Sequence, residues 1–265
     1  MKRTIPGFAG AALLLTACAT LAGAAPARKP APAATVTAAD TSRVHLGPAG
    51  ASTDAFVALP PGSGNVPGVV VIQEWWGLNG QIREIARRLA KEGYVAIAPD
   101  LYHGKVTSDP EMAHTLMRGL DENRALVDLN EAARWLAAQP RTAGRRMGVV
   151  GFCMGGRLAE LFALGDSSLA AAVMFYGYPE TRPDRLAALR APLQGHFGAE
   201  DQGIPPDSVA AFQAALSSAG KFAEIHLYPG AGHAFMHEGR KSYRADAAKQ
   251  AWARTLAFFQ KYLKE

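Results

Sequence analysis

The sequence predicts an α/β fold in which a mostly parallel, doubly wound sheet is flanked by helices. Short apolar runs rich in β-branched residues, GVVVIQE at 68–74 and YVAIAPD at 94–100, are typical of strands buried on both faces of a parallel sheet. Stretches with helical periodicity lie between such runs. Strands that alternate with helices form sheets whose ligands gather at the carboxyl ends of the strands.

The individual elements follow from local patterns. TDAFVALP at 53–60 predicts an edge strand, because Pro-Pro-Gly-Ser-Gly turn residues end it at 60–64. A helix is expected to begin at Pro110, since proline suits the first helical position. In chain order, the predicted strands are 53–60, 68–74, 94–100, 147–150, 170–175, 192–197 and 222–228. The predicted helices are 81–91, two stretches between 110 and 139, 157–164, 206–218 and 242–263.

Length and charge limit the functional classes. A chain of 265 residues can bury a full core, and we assign residues 51–265 to one domain. The net charge of +5 comes mostly from residues 1–39, which hold four of the 28 basic residues and no acid. The remaining 24 basic residues face 23 acidic ones, so no nucleic-acid partner is expected. Neither a C-x-x-C nor an H-E-x-x-H motif occurs, and no metal or cofactor is expected.

The N-terminus has the pattern of an export signal at 1–25. Lys2 and Arg3 precede a short apolar run, which is too short and alanine-rich for a membrane span. LTAC at 15–18 predicts a lipoprotein signal that ends before Cys18 and a lipid on that thiol, whereas AGAA at 22–25 predicts ordinary cleavage. Both stay open, so the protein is expected to be periplasmic or secreted, with a lipid anchor as its only contact with a membrane. The Pro/Ala-rich stretch at 26–50 predicts a flexible tether.

Cys153 lies in an unusually glycine-rich turn. The sequence VVGFCMGGRLAE at 149–160 places this cysteine between an apolar strand and a helix, with Gly151 and Gly155 two residues to either side. This spacing fits the G-x-S-x-G nucleophile elbow with cysteine in place of serine. The helix N-terminus favours a thiolate there. A buried structural cysteine beside a helix-packing glycine is the simpler alternative.

Two further residues follow later strands in the order that such a nucleophile requires. Asp201 comes after the strand at 192–197, and His233 lies in YPGAGHAF after the strand at 222–228. Their side chains are expected to meet Cys153 at the carboxyl ends of the strands. The imidazole can then accept the thiol proton while the carboxylate fixes its tautomer. Alone, each would be read as a solvated or hydrogen-bonded loop residue.

These motifs together make the chain resemble the dienelactone hydrolase family of α/β-hydrolases. The resemblance covers about residue 50 to the C-terminus and rests on five segments: QEWWG at 73–77, PDLY at 99–102, GFCMGG at 151–156, the Asp201 segment and GAGHAF at 230–235. It implies an α/β-hydrolase fold in which Cys153, Asp201 and His233 are the catalytic triad. It also implies that Glu74 helps to deprotonate the thiol. The backbone N–H groups of Met154 and Trp75 would form the oxyanion hole.

The residues themselves support a catalytic role for Glu74. A carboxylate that ends an apolar strand beside Trp75 and Trp76 is expected to be partly desolvated, which favours its action as a proton acceptor. The alternative is a salt bridge from Glu74 to Arg83 or Arg87 on the following helix.

The sequence departs from the family pattern where the substrate is selected. Lactone-cleaving members carry one arginine shortly after PDLY and another shortly after the histidine, and together these clamp a substrate carboxylate. Here HGK at 103–105 and MHEGR at 236–240 occupy those places, and a guanidinium clamp is not reproduced by histidine or lysine. Dienelactone is therefore a doubtful substrate. Four residues are nevertheless candidates for an anion site: His103, Lys105, His237 and Arg240. The predicted pocket residues are Trp76, Tyr102, His103, Lys105, Phe235 and His237.

The sequence thus predicts an exported hydrolase that cleaves a lactone or small carboxylic ester by acyl transfer to a cysteine. A broad carboxylesterase or thioesterase on the same scaffold is the first alternative. A catalytically silent exported binding protein is the second, and slow labelling of Cys153 by a thiol-reactive probe would distinguish it. The oligomeric state is not predicted.

Overall fold

The protein is built around one eight-stranded mixed sheet. The computed structural model describes Met1, residues 42–47 and residues 53–265, and all elements below lie in the unit Ala33–Glu265. The strands are β1 Ser42–Leu46, β2 Thr53–Ala58, β3 Gly68–Ile72, β4 Val95–Pro99, β5 Met147–Phe152, β6 Leu169–Phe175, β7 Leu193–Gly198 and β8 Ala223–Tyr228. Their order is β1-β2-β4-β3-β5-β6-β7-β8. Strands β3 to β8 run parallel, while β1 and β2 are antiparallel additions.

Helices cover both faces of the sheet. They are α1 Gly80–Lys91, α2 Pro110–Arg118, α3 Glu122–Ala138, α4 Met154–Gly165, α5 Pro183–Leu186, α6 Pro206–Ser218 and α7 Ala245–Phe259, which continues into a π-helical turn at Gln260–Lys264. Helices α1 and α7 pack on one face, and α3, α4 and α6 pack on the other. The fold class predicted from the sequence is confirmed.

The apolar strand patterns produce the two halves of the core. All five residues of β3 and all five of β4 are buried, because helices cover both of their faces. Alternate residues of each strand therefore join opposite clusters: Val70 and Ile72 contact the α3 and α4 side, and Val69 and Val71 contact the α1 and α7 side. This double burial fixes the carboxyl ends of the strands, where the candidate site lies.

Helix starts also follow local chemistry. Asp109 caps α2 by accepting a hydrogen bond from the Glu111 N–H, and Pro110 is the first helical residue, as predicted. Asn79 caps α1 in the same way through the Ile82 N–H. Each cap ends a loop at the carboxyl edge of the sheet.

The N-terminal part of the sheet corrects two predictions. Residues 42–46 form β1, although they fall within the predicted tether at 26–50, and they pair with all but the last residue of β2. The sheet domain therefore begins before residue 51. Because β1 covers β2, the segment at 53–58 is not the edge strand that was predicted. The short alternating pattern of β1 gains its stability from this pairing.

The predictions for residues 1–25, including Cys18, lie outside the described residues. In the described part of the chain, no helix is long and apolar enough to cross a membrane.

Candidate active site

Three predicted residues converge at the carboxyl edge of the sheet. Cys153 follows β5, Asp201 follows β7, and His233 lies in the loop after β8. His233 Nε2 lies 3.1 Å from Cys153 Sγ, and His233 Nδ1 lies 2.7 Å from Asp201 Oδ2. The three side chains therefore form one continuous hydrogen-bonded chain. Parallel neighbouring strands bring them together even though Cys153 and His233 are 80 residues apart.

The backbone at Cys153 is strained in the way that a nucleophile elbow requires. Its φ of 54° is in the left-handed region, which a residue with a side chain rarely adopts. The turn is so tight that a Cβ on Gly151 would lie 1.9 Å from the Gly155 carbonyl oxygen. A Cβ on Gly155 would lie 2.4 Å from the carbonyl oxygen of Gln73. Both glycines are thus required for the close approach that holds the thiol at the start of α4.

Charge is distributed unevenly along the hydrogen-bonded chain. Burial of the His233 ring disfavours its charge, but hydrogen bonds and charge interactions with Asp201 and Cys153 outweigh burial and raise the pKa of His233 to about 10. Burial also opposes the charge on Asp201, yet the His233 ring and the N–H groups of Ile204 and Gly203 lower the pKa of this carboxyl. These partners therefore favour the protonated form of the His233 ring.

Glu74 lies directly beyond β3 and is held by two buried partners. Its Oε1 accepts a hydrogen bond from the Tyr176 hydroxyl at 3.3 Å, and its Oε2 lies 2.7 Å from His237 Nδ1. The residue is only 2% exposed but lines the same cavity as Cys153. Among the described ion pairs, Glu74 pairs with His237, and neither Arg83 nor Arg87 is its partner. The alternative salt bridge to α1 is therefore wrong.

Tyr176 is a site residue that the sequence analysis missed. It follows β6, is fully buried, and has a φ of 39°. Its hydroxyl contacts Glu74, and its ring lies edge-on to the His233 ring at 5.1 Å between centroids. Its position at the carboxyl end of a parallel strand is the signal that would have found it.

Two cavities open onto Cys153. The larger has a volume of about 630 Å³ and the smaller about 410 Å³. Met117, Cys153, Gly203 and His233 line both. Trp75, Trp76 and Arg240 line the larger cavity, as Trp76 was predicted to do. Met154, which begins α4, lines the smaller one.

Several predicted pocket residues lie elsewhere. His103 is half-exposed, and its Nε2 lies 3.8 Å from Asp128 on α3. Lys105 is exposed and lines neither cavity. Phe235 is fully buried against Tyr176, because the loop turns at Ala234 with a φ of 58°. These three assignments to the substrate pocket are corrected.

The last two predicted pocket residues, Tyr102 and His237, lie behind the cavity wall. Tyr102 is buried and donates its hydroxyl to Met154 Sδ at 3.2 Å, which makes it a support for the start of α4. His237 is mostly buried and is paired with Glu74. It borders a separate cleft of about 540 Å³. Neither lines the two cavities that open onto the thiol.

The cationic residues near the thiol do not form a paired clamp. Arg240 lines the larger cavity, and its guanidinium lies over the Trp76 ring at 3.7 Å from the centroid.

Among the residues that the structure describes, no group of three or more His, Cys, Asp or Glu is placed to hold a metal ion.

Comparison with known proteins identifies relatives across most of the chain. The model of the dienelactone hydrolase family matches residues 53–263. A protein of Escherichia coli (strain K12) named "Putative carboxymethylenebutenolidase" is 38% identical over 228 residues, which cover 80% of this chain and 84% of that protein. A protein of Bradyrhizobium sp named "Probable 2-oxo-3-(5-oxofuran-2-ylidene)propanoate lactonase" is 32% identical over 233 residues, covering 83% of this chain and 94% of that protein.

A solved structure agrees with these sequence matches. The crystal structure of a "Putative Dienelactone Hydrolase" from Klebsiella pneumoniae subsp. pneumoniae MGH 78578 superposes with a TM-score of 0.78 and is 36% identical. The match covers 84% of this chain and 99% of that one. The likeness therefore extends over most of the chain.

Proposed function

Since this chain belongs to the dienelactone hydrolase family, and is thus a hydrolase of ester or lactone bonds, we propose that it cleaves a lactone or small carboxylic ester through the thiol of Cys153. The observation that carries this proposal is the hydrogen-bonded chain from Cys153 through His233 to Asp201. Nucleophile, base and orienting carboxylate stand in contact at a strained turn that opens onto two cavities.

The first half of the reaction forms an acyl-enzyme. The thiolate attacks the substrate carbonyl carbon, a C–S bond forms, and the carbonyl oxygen becomes an oxyanion. The N–H groups of Met154, at the start of α4, and Trp75 are the proposed donors to that oxyanion. When the C–O bond breaks, the departing alkoxide takes a proton from the His233 imidazolium.

The second half releases the acid. His233, now neutral, accepts a proton from water, and the hydroxide attacks the thioester carbon. Collapse of this intermediate breaks the C–S bond and restores the thiolate beside the imidazolium. Asp201 keeps the ring oriented throughout, because its Oδ2 is bonded to Nδ1.

We assign to Glu74 the removal of the thiol proton whenever Cys153 is protonated. Its position in the same cavity as the thiol supports this role. Its bonds to Tyr176 and His237 hold it at the cavity wall in the resting protein.

The placement of cations supports uncharged esters and lactones as substrates. His237 is occupied by Glu74, and His103 and Lys105 do not line the cavities at the thiol. Of the predicted cationic residues, only Arg240 is then left to replace the hydration of a carboxylate substrate. Arg157 lines the smaller cavity, but it is already paired with Glu122. A charge-assisted hydrogen bond contributes roughly 1.5–3 kcal/mol, so losing the second partner of a clamp weakens anion binding markedly. A broad carboxylesterase or thioesterase would use the same residues, and the apolar lining of the smaller cavity favours it as the second candidate.

The nucleophile is tested by replacing Cys153 with alanine. We expect Cys153→Ala to abolish hydrolysis of a panel of lactones and esters, with circular dichroism and Tm close to those of the wild type. In the full-length chain, Cys18→Ala is the matched control, because it removes the other cysteine and should keep full activity. Hydrolysis at the wild-type rate by folded Cys153→Ala would contradict the proposal.

A further inference from the structure

The two cavities form a single site that branches at the thiol. We call the cavity of about 410 Å³ the apolar lobe and that of about 630 Å³ the aromatic lobe. They share Cys153 and His233, the two groups that would touch the scissile bond. A carbonyl placed at Sγ would therefore border both lobes.

The apolar lobe suits an uncharged alkyl group. Its walls include Leu120, Leu158 and Ile204, of which the last two are almost fully buried. Arg157 and Glu122 also line it, but they form an ion pair with Nε 3.0 Å from Oε1. Their charges compensate each other, so this lobe offers hydrophobic contact rather than a partner for a charged group.

The aromatic lobe suits a flat group. Trp75 contacts Trp76 with ring centroids 4.7 Å apart and His114 at 4.6 Å, both in edge-on geometry. Arg240 lies over the other tryptophan ring, Trp76, at 3.7 Å. These planar side chains bind unsaturated or aromatic groups better than saturated ones of equal size.

From this geometry we infer that the substrate is an open-chain ester with two separate arms, an alkyl arm in the apolar lobe and a flat, unsaturated arm in the aromatic lobe. The inference rests on the proposed acyl transfer at Cys153. In a small unsubstituted lactone the acyl and alcohol sides are joined in one ring, so it has no separate arms to place in the two lobes. In an open-chain ester, C–O cleavage lets the alcohol leave from one lobe while the acyl arm stays bonded to sulfur in the other.

Two series of neutral esters test the inference on the full chain. In one series the acyl chain is lengthened with a methyl alcohol kept constant, and in the other the alcohol is lengthened with acetyl kept constant. Each series also ends in a matched pair that carries phenyl or cyclohexyl. We expect kcat/KM in one series to rise about three- to fourfold per methylene, as for burial of a CH₂ group. In the other series we expect phenyl to exceed cyclohexyl by about two- to tenfold.

Tryptophan substitutions on or just after α2 block the lobes one at a time. Leu120→Trp should remove the gain with chain length and leave the ratio of phenyl to cyclohexyl unchanged. His114→Trp should abolish the preference for phenyl over cyclohexyl and leave the gain with chain length unchanged. Met112→Trp is the matched control, because Met112 is exposed on the same helix and lines neither lobe. Leu120→Ala, which enlarges the apolar lobe, should move the optimum to longer chains and serves if Leu120→Trp does not fold.

The outcomes separate the inference from the proposed function. If one blocking variant abolishes both preferences, or if neither variant changes either preference, the two-arm inference is wrong. If the wild type cleaves lactones but gains nothing from either arm, the proposed function stands and the inference fails. If neither lactones nor esters are cleaved, the proposed function itself fails.

Discussion

Glu74 combines burial, two hydrogen-bond partners and a place on the cavity wall, so its role is open to a direct test. We expect Glu74→Gln to lower the rate of acyl-enzyme formation by about 10²- to 10⁴-fold, the range for loss of a general base. The amide keeps the shape of the side chain and one oxygen acceptor but cannot accept a proton. Stopped-flow measurement of the acylation burst, together with unfolding by denaturant, gives activity and stability for the same protein.

The matched control for this substitution is Glu84→Gln. Glu84 is exposed on α1 and pairs with Arg87, so its loss should change neither acylation nor stability appreciably. If Glu74 is only structural, Glu74→Gln will lower the free energy of unfolding while turnover per folded molecule stays at the wild-type value.

At this scale, sequence predicts positions better than side-chain directions. Cys153, Asp201 and His233 were found because strand ends fix where their backbones lie. His103 and Phe235 were misplaced because a loop side chain follows its tertiary partner, here Asp128 for the histidine and a buried aromatic cluster for the phenylalanine. Such partners lie far away in the chain, and no local sequence pattern predicts them.

At the scale of elements, the junction of β5 and α4 depends on the absence of a side chain at Gly155. We expect Gly155→Ala to destabilise the fold by about 1–3 kcal/mol or more, since its Cβ would press on the Gln73 carbonyl oxygen. We also expect kcat/KM of the molecules that remain folded to fall, because the same contact positions the elbow. Chemical denaturation and kcat/KM measure the two effects.

Gly165→Ala is the control within the same helix. A Cβ there would meet nothing within 4 Å, so we expect a neutral or slightly stabilising change. Equal effects of the two alanine substitutions would show that helix propensity, not the close approach at the elbow, sets the outcome.

Most elements were predictable because burial on both faces leaves a clear apolar signature. The runs at 68–74 and 94–100 became β3 and β4 within two residues at each end. Strand β1 was not predicted, because its five residues include Arg43 and His45, which point away from the core in an alternating pattern. Its existence depends on pairing with β2, a contact that short-range periodicity does not encode.

For the whole molecule, buried Glu160 links stability to pH. Glu160 on α4 is fully buried, and its Oε2 accepts a hydrogen bond from the Glu180 N–H at 2.9 Å. Burial raises the pKa of Glu160 to about 8, against the opposing effect of that hydrogen bond. The folded protein thus holds a proton that the unfolded chain releases above its ordinary pKa of 4.5.

The sign of the effect follows from this raised pKa. The stabilising contribution of protonated Glu160 is complete below about pH 4.5 and is lost as the pH rises through about 8. We expect Glu160→Gln, which cannot ionise, to gain stability relative to the wild type by a few kcal/mol over this window, at about 1.4 kcal/mol per unit of pKa difference. Urea denaturation at pH 5, 7 and 9 measures it. Exposed Glu111→Gln should follow the wild type at every pH, and a constant difference for Glu160→Gln would contradict the assignment.

Export also concerns the whole molecule, and we propose that the mature protein lacks its N-terminal signal. Intact mass spectrometry of protein from the native host should find either a diacylglyceryl group on Cys18 or a free N-terminus near residue 25. The first result would indicate a lipid anchor and the second a soluble periplasmic or secreted enzyme. Intact Met1 on cytoplasmic protein would contradict both.

The contact between Cys153 and His233 also gives the chain a chemical reporter of its own folding. These residues are 80 positions apart, and they meet only after β5, β7 and β8 have joined the same sheet. Before that assembly the thiol has no imidazolium beside it and reacts as an ordinary cysteine. The rate at which an alkylating reagent modifies Cys153 therefore reports whether the sheet is complete, without an engineered probe.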